Sequence, residues 1–213
     1  TCAEKCYAKG LEVVGRDVTV EEVLAEVLKD KAFYDNSGGG MTVSGGEPMM
    51  QFAFTAALLR AAKEAGLHTC LDTSGIAPID NYLKLLDGVD IFLYDIKDTN
   101  PERHKETTGV ALRPILDTLR ELDAAGGRTI LRCPLIPGVN ADDDHLEGIA
   151  EIANALTNVL EVTLHPYHPL GKSKSERLGG DYPLPDTAFA EADNIEHWLS
   201  IITANTDVPV RRN

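Results

Sequence analysis

Ser37-Gly38-Gly39-Gly40-Met41-Thr42-Val43-Ser44-Gly45-Gly46-Glu47-Pro48 is the stretch on which the reading of this chain turns. A glycine run leads into a short strand, and the strand ends in two more glycines and an acid. Met49-Met50-Gln51-Phe52 then opens a long helical pattern. Glycines at a strand end let a small molecule touch the backbone. Carbonyls left free there, together with the Glu47 carboxylate, accept hydrogen bonds from an ammonium group. A plain turn is the alternative reading of so short a motif, so its surroundings have to decide.

Outward from this stretch, strands and helices alternate. Thr19-Val20-Glu21-Glu22 has the cap and acid of a helix start, continued by apolar Val23, Leu24, Val27 and Leu28. Strands are expected at Met41–Ser44, Leu67–Asp72, Val89–Ile96, Arg128–Leu135 and Leu160–Leu164. Helices are expected at Phe52–Ala65, Ile79–Leu86, Leu112–Ala125, His145–Leu156 and Asp186–Ile202, the first and third closed by Gly66 and Gly126. Ile96 to Leu112 reads as a polar connection, and Val208-Pro209-Val210 is compatible with a short last strand. Strands alternating with crossover helices predict an α/β fold with a parallel sheet, part of a barrel.

Composition narrows the function. The 213 residues are 43% hydrophobic and 25% charged, enough for one domain with a sizeable core. No apolar run reaches the roughly 18 residues of a membrane span, and residues 1–30 carry no signal-peptide pattern. A net charge of −14 argues against nucleic acid and points to a small-molecule or protein partner. Four cysteines in a chain of this size do not make a secreted disulfide framework, so a reducing cytoplasm is expected.

Ligands of parallel α/β barrels meet the carboxyl ends of the strands. Those ends are Ser44-Gly45-Gly46-Glu47, Asp72-Thr73-Ser74-Gly75, Asp95-Ile96-Lys97, Arg132-Cys133-Pro134 and His165-Pro166-Tyr167-His168. Taken singly, Asp72 reads as a turn residue, Lys97 as a solvated lysine and His168 as a surface histidine. Together they put an ionisable or hydrogen-bonding group on every strand at one rim.

With these blocks in place the chain resembles the activating enzymes of glycyl radical enzymes, the group typified by pyruvate formate-lyase activase, within the radical S-adenosylmethionine (SAM) superfamily. The resemblance rests on Ser37–Gly40 with Ser44–Pro48, Leu71–Gly75, Tyr94–Lys97, Thr108–Val110, Arg132 with Pro134–Asn140, and Pro166–His168 with Gly171-Lys172, in the family's order. It implies a partial radical SAM barrel of about five of six β/α units with an open parallel sheet. Backbone at Gly45 and Gly46, with Glu47, would hold the amino group of SAM. Lys97 and Arg132 would meet its carboxylate, and His168 its ribose or adenine side. Asp72, Thr73, the Leu93 carbonyl and Asp95 would form a monovalent-cation site for Na⁺ or K⁺, which hard oxygen ligands suit.

The N-terminus departs from the family pattern. A catalytic [4Fe–4S] cluster is held by Cys-x3-Cys-x2-Cys, whereas Cys2-x3-Cys6 here is followed by Lys9 in the third place. A protonated lysine does not replace a thiolate. One reading is a degenerate catalytic motif. The better one makes Cys2 and Cys6 the last cysteines of a ferredoxin-like insert that holds accessory [4Fe–4S] clusters. Residues 1–10 are then the end of that insert and 11–213 the partial barrel, with the first strand and the catalytic cysteines expected upstream of Thr1. This chain is therefore expected to hold no catalytic cluster itself. Cys70 and Cys133 are expected to be small buried hydrophobes.

The intact protein would use its cluster to cleave SAM reductively, and the resulting 5′-deoxyadenosyl radical would take hydrogen from the glycine loop of a partner glycyl radical enzyme. The expected electron donor is a flavodoxin or ferredoxin; neither nucleic acid nor membrane is an expected partner. Two alternatives stand beside this reading. One is a radical SAM enzyme acting on a small molecule, and the other is a non-catalytic barrel that binds a partner protein.

Overall fold

The computed structural model describes residues 2–8, 10, 11, 13, 15–168 and 190–213. Strands β1 (Gly40–Val43), β2 (His68–Thr73), β3 (Ile91–Asp95), β4 (Thr129–Leu135), β5 (Val159–Pro166) and β6 (Val210–Arg212) form one sheet. They pair in chain order and every neighbouring pair is parallel, so β1 and β6 are open edges among the described residues. Helices α1 (Val20–Val27) and α2 (Lys31–Ser37) precede β1, and α3 (Phe52–Glu64) joins β1 to β2. Then α4 (Ile79–Leu83) leads to β3, α5 (Pro101–Thr108) and α6 (Leu112–Ala124) to β4, α7 (Asp143–Asn154) to β5 and α8 (Ala192–Asn205) to β6.

Alternation along the strands divides the sheet into two unlike faces. Leu71, Phe92, Tyr94, Leu131, Cys133, Val162 and Leu164 are buried and pack with Leu59, Leu119, Leu122, Ile149, Trp198 and Ile202 of the helices. A smaller cluster of Met41, Leu58, Ala62 and Leu67 joins α3 to β1, with Val20, Val23 and Leu24 of α1 against it. The residues between those buried positions, among them Asp72, Asp95, Arg132 and His165, stay half-exposed on the other face. Pairing sets Asp72 opposite Leu93 and Asp95 opposite Arg132, so charged groups from three strands meet at the carboxyl end of that face.

Four expectations shift. The connection between β3 and α6 contains a helix, α5, capped by Asn100 with Pro101 in its first turn and closed by Gly109. The helix from Ile79 stops at Leu83, because the chain tightens into a 3₁₀ turn at Leu86–Gly88, where Thr69 Oγ1 donates to the Gly88 carbonyl at 2.9 Å. The last strand runs two residues later, since pairing begins with Val162 N donating to the Pro209 carbonyl at 2.8 Å. Cys70 is half-buried on the charged face, 3.8 Å from His68 Nδ1, while Cys133 is fully buried. The expected helix start at Asp186 lies outside the described residues.

Asp90 shows how the opposite end of the sheet is closed. Its carboxylate accepts from Lys63 Nζ at 2.8 and 2.9 Å and from Thr69 N at 2.7 Å. Although burial pushes that carboxyl up, the bonds from Lys63 and Thr69 hold it below the usual carboxylate range. Asp90→Asn is expected to cost about 1–2 kcal/mol, read as a lower urea midpoint, because the amide returns fewer acceptors to the same donors.

Candidate functional site

The β1 strand ends on Ser44-Gly45-Gly46, with Gly45 at φ +136°, a conformation that excludes most side chains. A Cβ added at Gly46 would meet no atom within 4 Å. Both glycines line a cavity of about 420 Å³ at the rim, together with Glu47, Asp72, Thr73, Asp95, Lys97 and Arg132. Eight of the residues expected from the sequence to bind a ligand or cation are thus brought to one place. His168 is exposed beyond the end of β5, and Leu93 sits in β3 beside Asp72; neither lines this cavity.

Glu47 ties the β1 loop to the β2 loop. Its Oε1 accepts from Thr73 Oγ1 at 2.8 Å and from Met49 N at 3.2 Å. Oε2 accepts from Ser74 N at 2.8 Å and Ser74 Oγ at 2.6 Å. Because the Thr73 hydroxyl proton goes to a carboxylate, Tyr82 donates to Thr73 Oγ1, at 2.8 Å. Burial pushes the Tyr82 phenol up to about 12, so it stays a donor throughout the physiological range. An ammonium group entering the cavity meets Glu47 as a fixed, already hydrogen-bonded negative charge.

Both cations are paired with carboxylates of the same face. Arg132 Nη1 lies 2.5 Å from Asp72 Oδ2, and Lys97 Nζ lies 2.7 Å from Asp95 Oδ2. Arg132 Nε also donates to His165 Nε2 at 3.3 Å. Burial first, and then the Arg132 charge, push the His165 imidazole down, which keeps it a neutral acceptor. An ammonium has three donors and a guanidinium five, so Lys97 and Arg132 each keep donors free for an incoming anion. The far wall comes from α5, α6 and their connection: His104, Thr108, Val110 and Ile115. His104 escaped the sequence reading because it lies in a polar stretch; its Nδ1 donates to the Val110 carbonyl at 2.9 Å.

Two glycines lining the cavity, a fixed negative charge and two cations with spare donors fit the zwitterionic amino-acid end of SAM. The cysteines do not fit a catalytic cluster. Cys2 is exposed and Cys6 half-buried near the chain start, Cys70 and Cys133 lie on separate strands, and burial pushes the Cys133 thiol far up. Among the described residues, no group of three or more metal-ligating side chains comes together. Nor is any described helix long and apolar enough to cross a membrane.

Two residues beyond Lys97, Thr99 meets a buried histidine, its N donating to His145 Nδ1 at 3.1 Å. His145 in α7 is fully buried, and burial above all holds its imidazole at about 4 against the pull of Asp98 and Asp142. Its folded value lies below the unfolded value of about 6.5, so this stability is present above pH 6.5 and lost as pH falls towards 4. Wild type is expected to lose roughly 3 kcal/mol more than His145→Asn across that window, measured as paired urea midpoints.

A profile of the radical SAM superfamily matches residues 5–151. An isethionate sulfite-lyase activating enzyme from Nitratidesulfovibrio vulgaris is 39% identical over 210 residues, covering 97% of this chain and 67% of that protein. A pyruvate formate-lyase-activating enzyme from Staphylococcus aureus is 36% identical over 201 residues, covering 92% of this chain and 80% of its own length. The chain thus spans two thirds to four fifths of these two relatives. A solved domain of a pyruvate-formate lyase-activating enzyme from Bacteroides vulgatus superposes with a TM-score of 0.69 at 23% identity, covering 82% of this chain and 99% of that one, which shows a shared fold. The superfamily is one that employs a [4Fe–4S] cluster with SAM. On the rim geometry and on these relationships, the chain belongs to the radical SAM superfamily, among its glycyl radical enzyme activating enzymes.

Proposed function

We propose that this protein binds SAM in the rim cavity and serves to place a radical on a backbone glycine of a partner, a glycyl radical enzyme. The observation that carries the reading is the convergence of Gly45, Gly46, Glu47, Lys97 and Arg132 on one cavity in a chain akin to such activases. Backbone carbonyls at Gly45 and Gly46 hold the ammonium group, with Glu47 fixed behind them. Lys97 and Arg132 take the carboxylate with the donors that Asp95 and Asp72 leave free. His168, at the end of β5, meets the ribose or adenine side. Asp72 and Asp95, on one face of adjacent strands, with Thr73 and the Leu93 carbonyl, supply oxygens for Na⁺ or K⁺. Cys2 and Cys6 belong to an accessory cluster in residues 1–10, and a flavodoxin or ferredoxin is the electron donor.

When bound, SAM supplies the hydrogen-abstracting group; this chain's residues bind it, orient it and exclude water. The test is electron paramagnetic resonance of the full-length protein with SAM, a reductant and a glycyl radical enzyme from the same organism. A glycine-centred radical on the partner is expected. SAM consumed with no radical on any such partner would contradict the reading.

A further inference from the structure

Lys97 lies two residues beyond the end of β3, so its position is not set by the strand itself. Asn140 does that instead. Its Nδ2 donates to the Lys97 carbonyl and to the Pro134 carbonyl, both at 2.8 Å, and its Oδ1 accepts from Ile136 N at 2.7 Å. One buried side chain thereby continues the β3–β4 connection past the last backbone pair, Asp95 opposite Arg132.

The next two residues are fixed as firmly. Asp98 is 1% exposed and accepts from Arg103 twice, Nε to Oδ2 at 2.5 Å and Nη2 to Oδ1 at 3.0 Å. Arg103 bonds Asp142 as well, at the start of α7. Thr99 N donates to His145 Nδ1 at 3.1 Å, and α7 comes so close that a Cβ at Gly148 would lie 2.7 Å from Thr99 Oγ1. Burying the Asp98 carboxylate beneath a partly exposed arginine is a costly way to hold a loop for stability alone, and an apolar residue of the same size serves that end as well. What the polar clamp adds is a single geometry for the residue before it.

We infer that Asn140 and the Asp98–Arg103 pair are positioning residues that aim the Lys97 ammonium at the carboxylate of the bound amino-acid end. The inference rests on the reading that Lys97 takes the SAM carboxylate. It separates them from residues that merely keep the protein folded, because its effect must pass through one contact of one ligand.

The experiment compares two ligands by titration calorimetry. S-adenosylhomocysteine carries the amino-acid end, and 5′-methylthioadenosine lacks it. Asn140→Asp keeps the acceptor for Ile136 and loses the donor to Lys97; Arg103→Lys keeps the charge and loses the paired geometry. Each is expected to weaken S-adenosylhomocysteine about five- to thirtyfold and 5′-methylthioadenosine by less than about twofold. In a Lys97→Ala background each is expected to add less than about twofold, as residues acting through one contact do. Equal losses for the two ligands, no loss for S-adenosylhomocysteine, or an undiminished loss without Lys97 would each overturn the inference. If Lys97→Ala alone leaves S-adenosylhomocysteine affinity unchanged, the carboxylate role of Lys97 falls first, and the inference with it.

Discussion

Replacing both Lys97 and Arg132 by alanine is expected to remove SAM binding while leaving the sheet intact. Each cation keeps free donors at the cavity after pairing with Asp95 or Asp72. A charge-assisted contact in such a partly desolvated place is worth roughly 1.5–3 kcal/mol, about tenfold to more than a hundredfold in affinity. Two such losses add to about 3–6 kcal/mol if they act independently. Removing Lys97 takes the ion partner from the half-buried Asp95, and removing Arg132 leaves Asp72 with the Ser44 hydroxyl and His165 with Asn213. The single and double variants therefore all report on stability as well, which a urea titration beside the calorimetry separates. An unchanged dissociation constant in the double variant would leave both residues as a surface ion-pair network and nothing more.

Glu47→Ala is expected to combine a loss of stability of roughly 3 kcal/mol with loss of SAM binding. Four donors converge on this carboxylate: Met49 N, Thr73 Oγ1, Ser74 N and Ser74 Oγ. Their loss unties the β1 loop from the β2 loop and lets Gly45 and Gly46 move away from the rest of the rim. Glu47→Gln keeps the size but turns an amide nitrogen towards donors, so it should recover little. Thermal unfolding of the three proteins, followed by S-adenosylhomocysteine titration of whichever stay folded, decides it. A Glu47→Ala protein of wild-type stability would show that the four bonds are individually dispensable.

Much of this was legible in the sequence because it rests on local pattern. Alternating strand and helix segments, with Gly66 and Gly126 after two helices, fixed the order of elements, and the strand ends pointed to the rim. α5 was missed for a physical reason: Pro101-Glu102-Arg103-His104-Lys105-Glu106-Thr107-Thr108 is polar nearly all round and buries only His104, so it has no apolar stripe to read. Its caps were the signal present, Asn100 before Pro101 at the start and Gly109 at the end. The shift of β6 was likewise hidden, because Val210 is its only apolar residue and Arg211 and Arg212 are exposed. No local pattern reveals that Glu47 is held by Thr73 and Ser74, 26 and 27 residues away, or that Asn140 reaches the Lys97 carbonyl. Such bonds exist only once the parallel sheet has brought the loops together.

The most direct measurement is a crystal structure of this protein with S-adenosylhomocysteine bound. The ligand carboxylate is expected within about 3 Å of Lys97 Nζ and an Arg132 nitrogen, and the ammonium group against the backbone of Gly45 and Gly46. Density for the amino-acid end anywhere else, with Lys97 and Arg132 still paired only to Asp95 and Asp72, would contradict that placement.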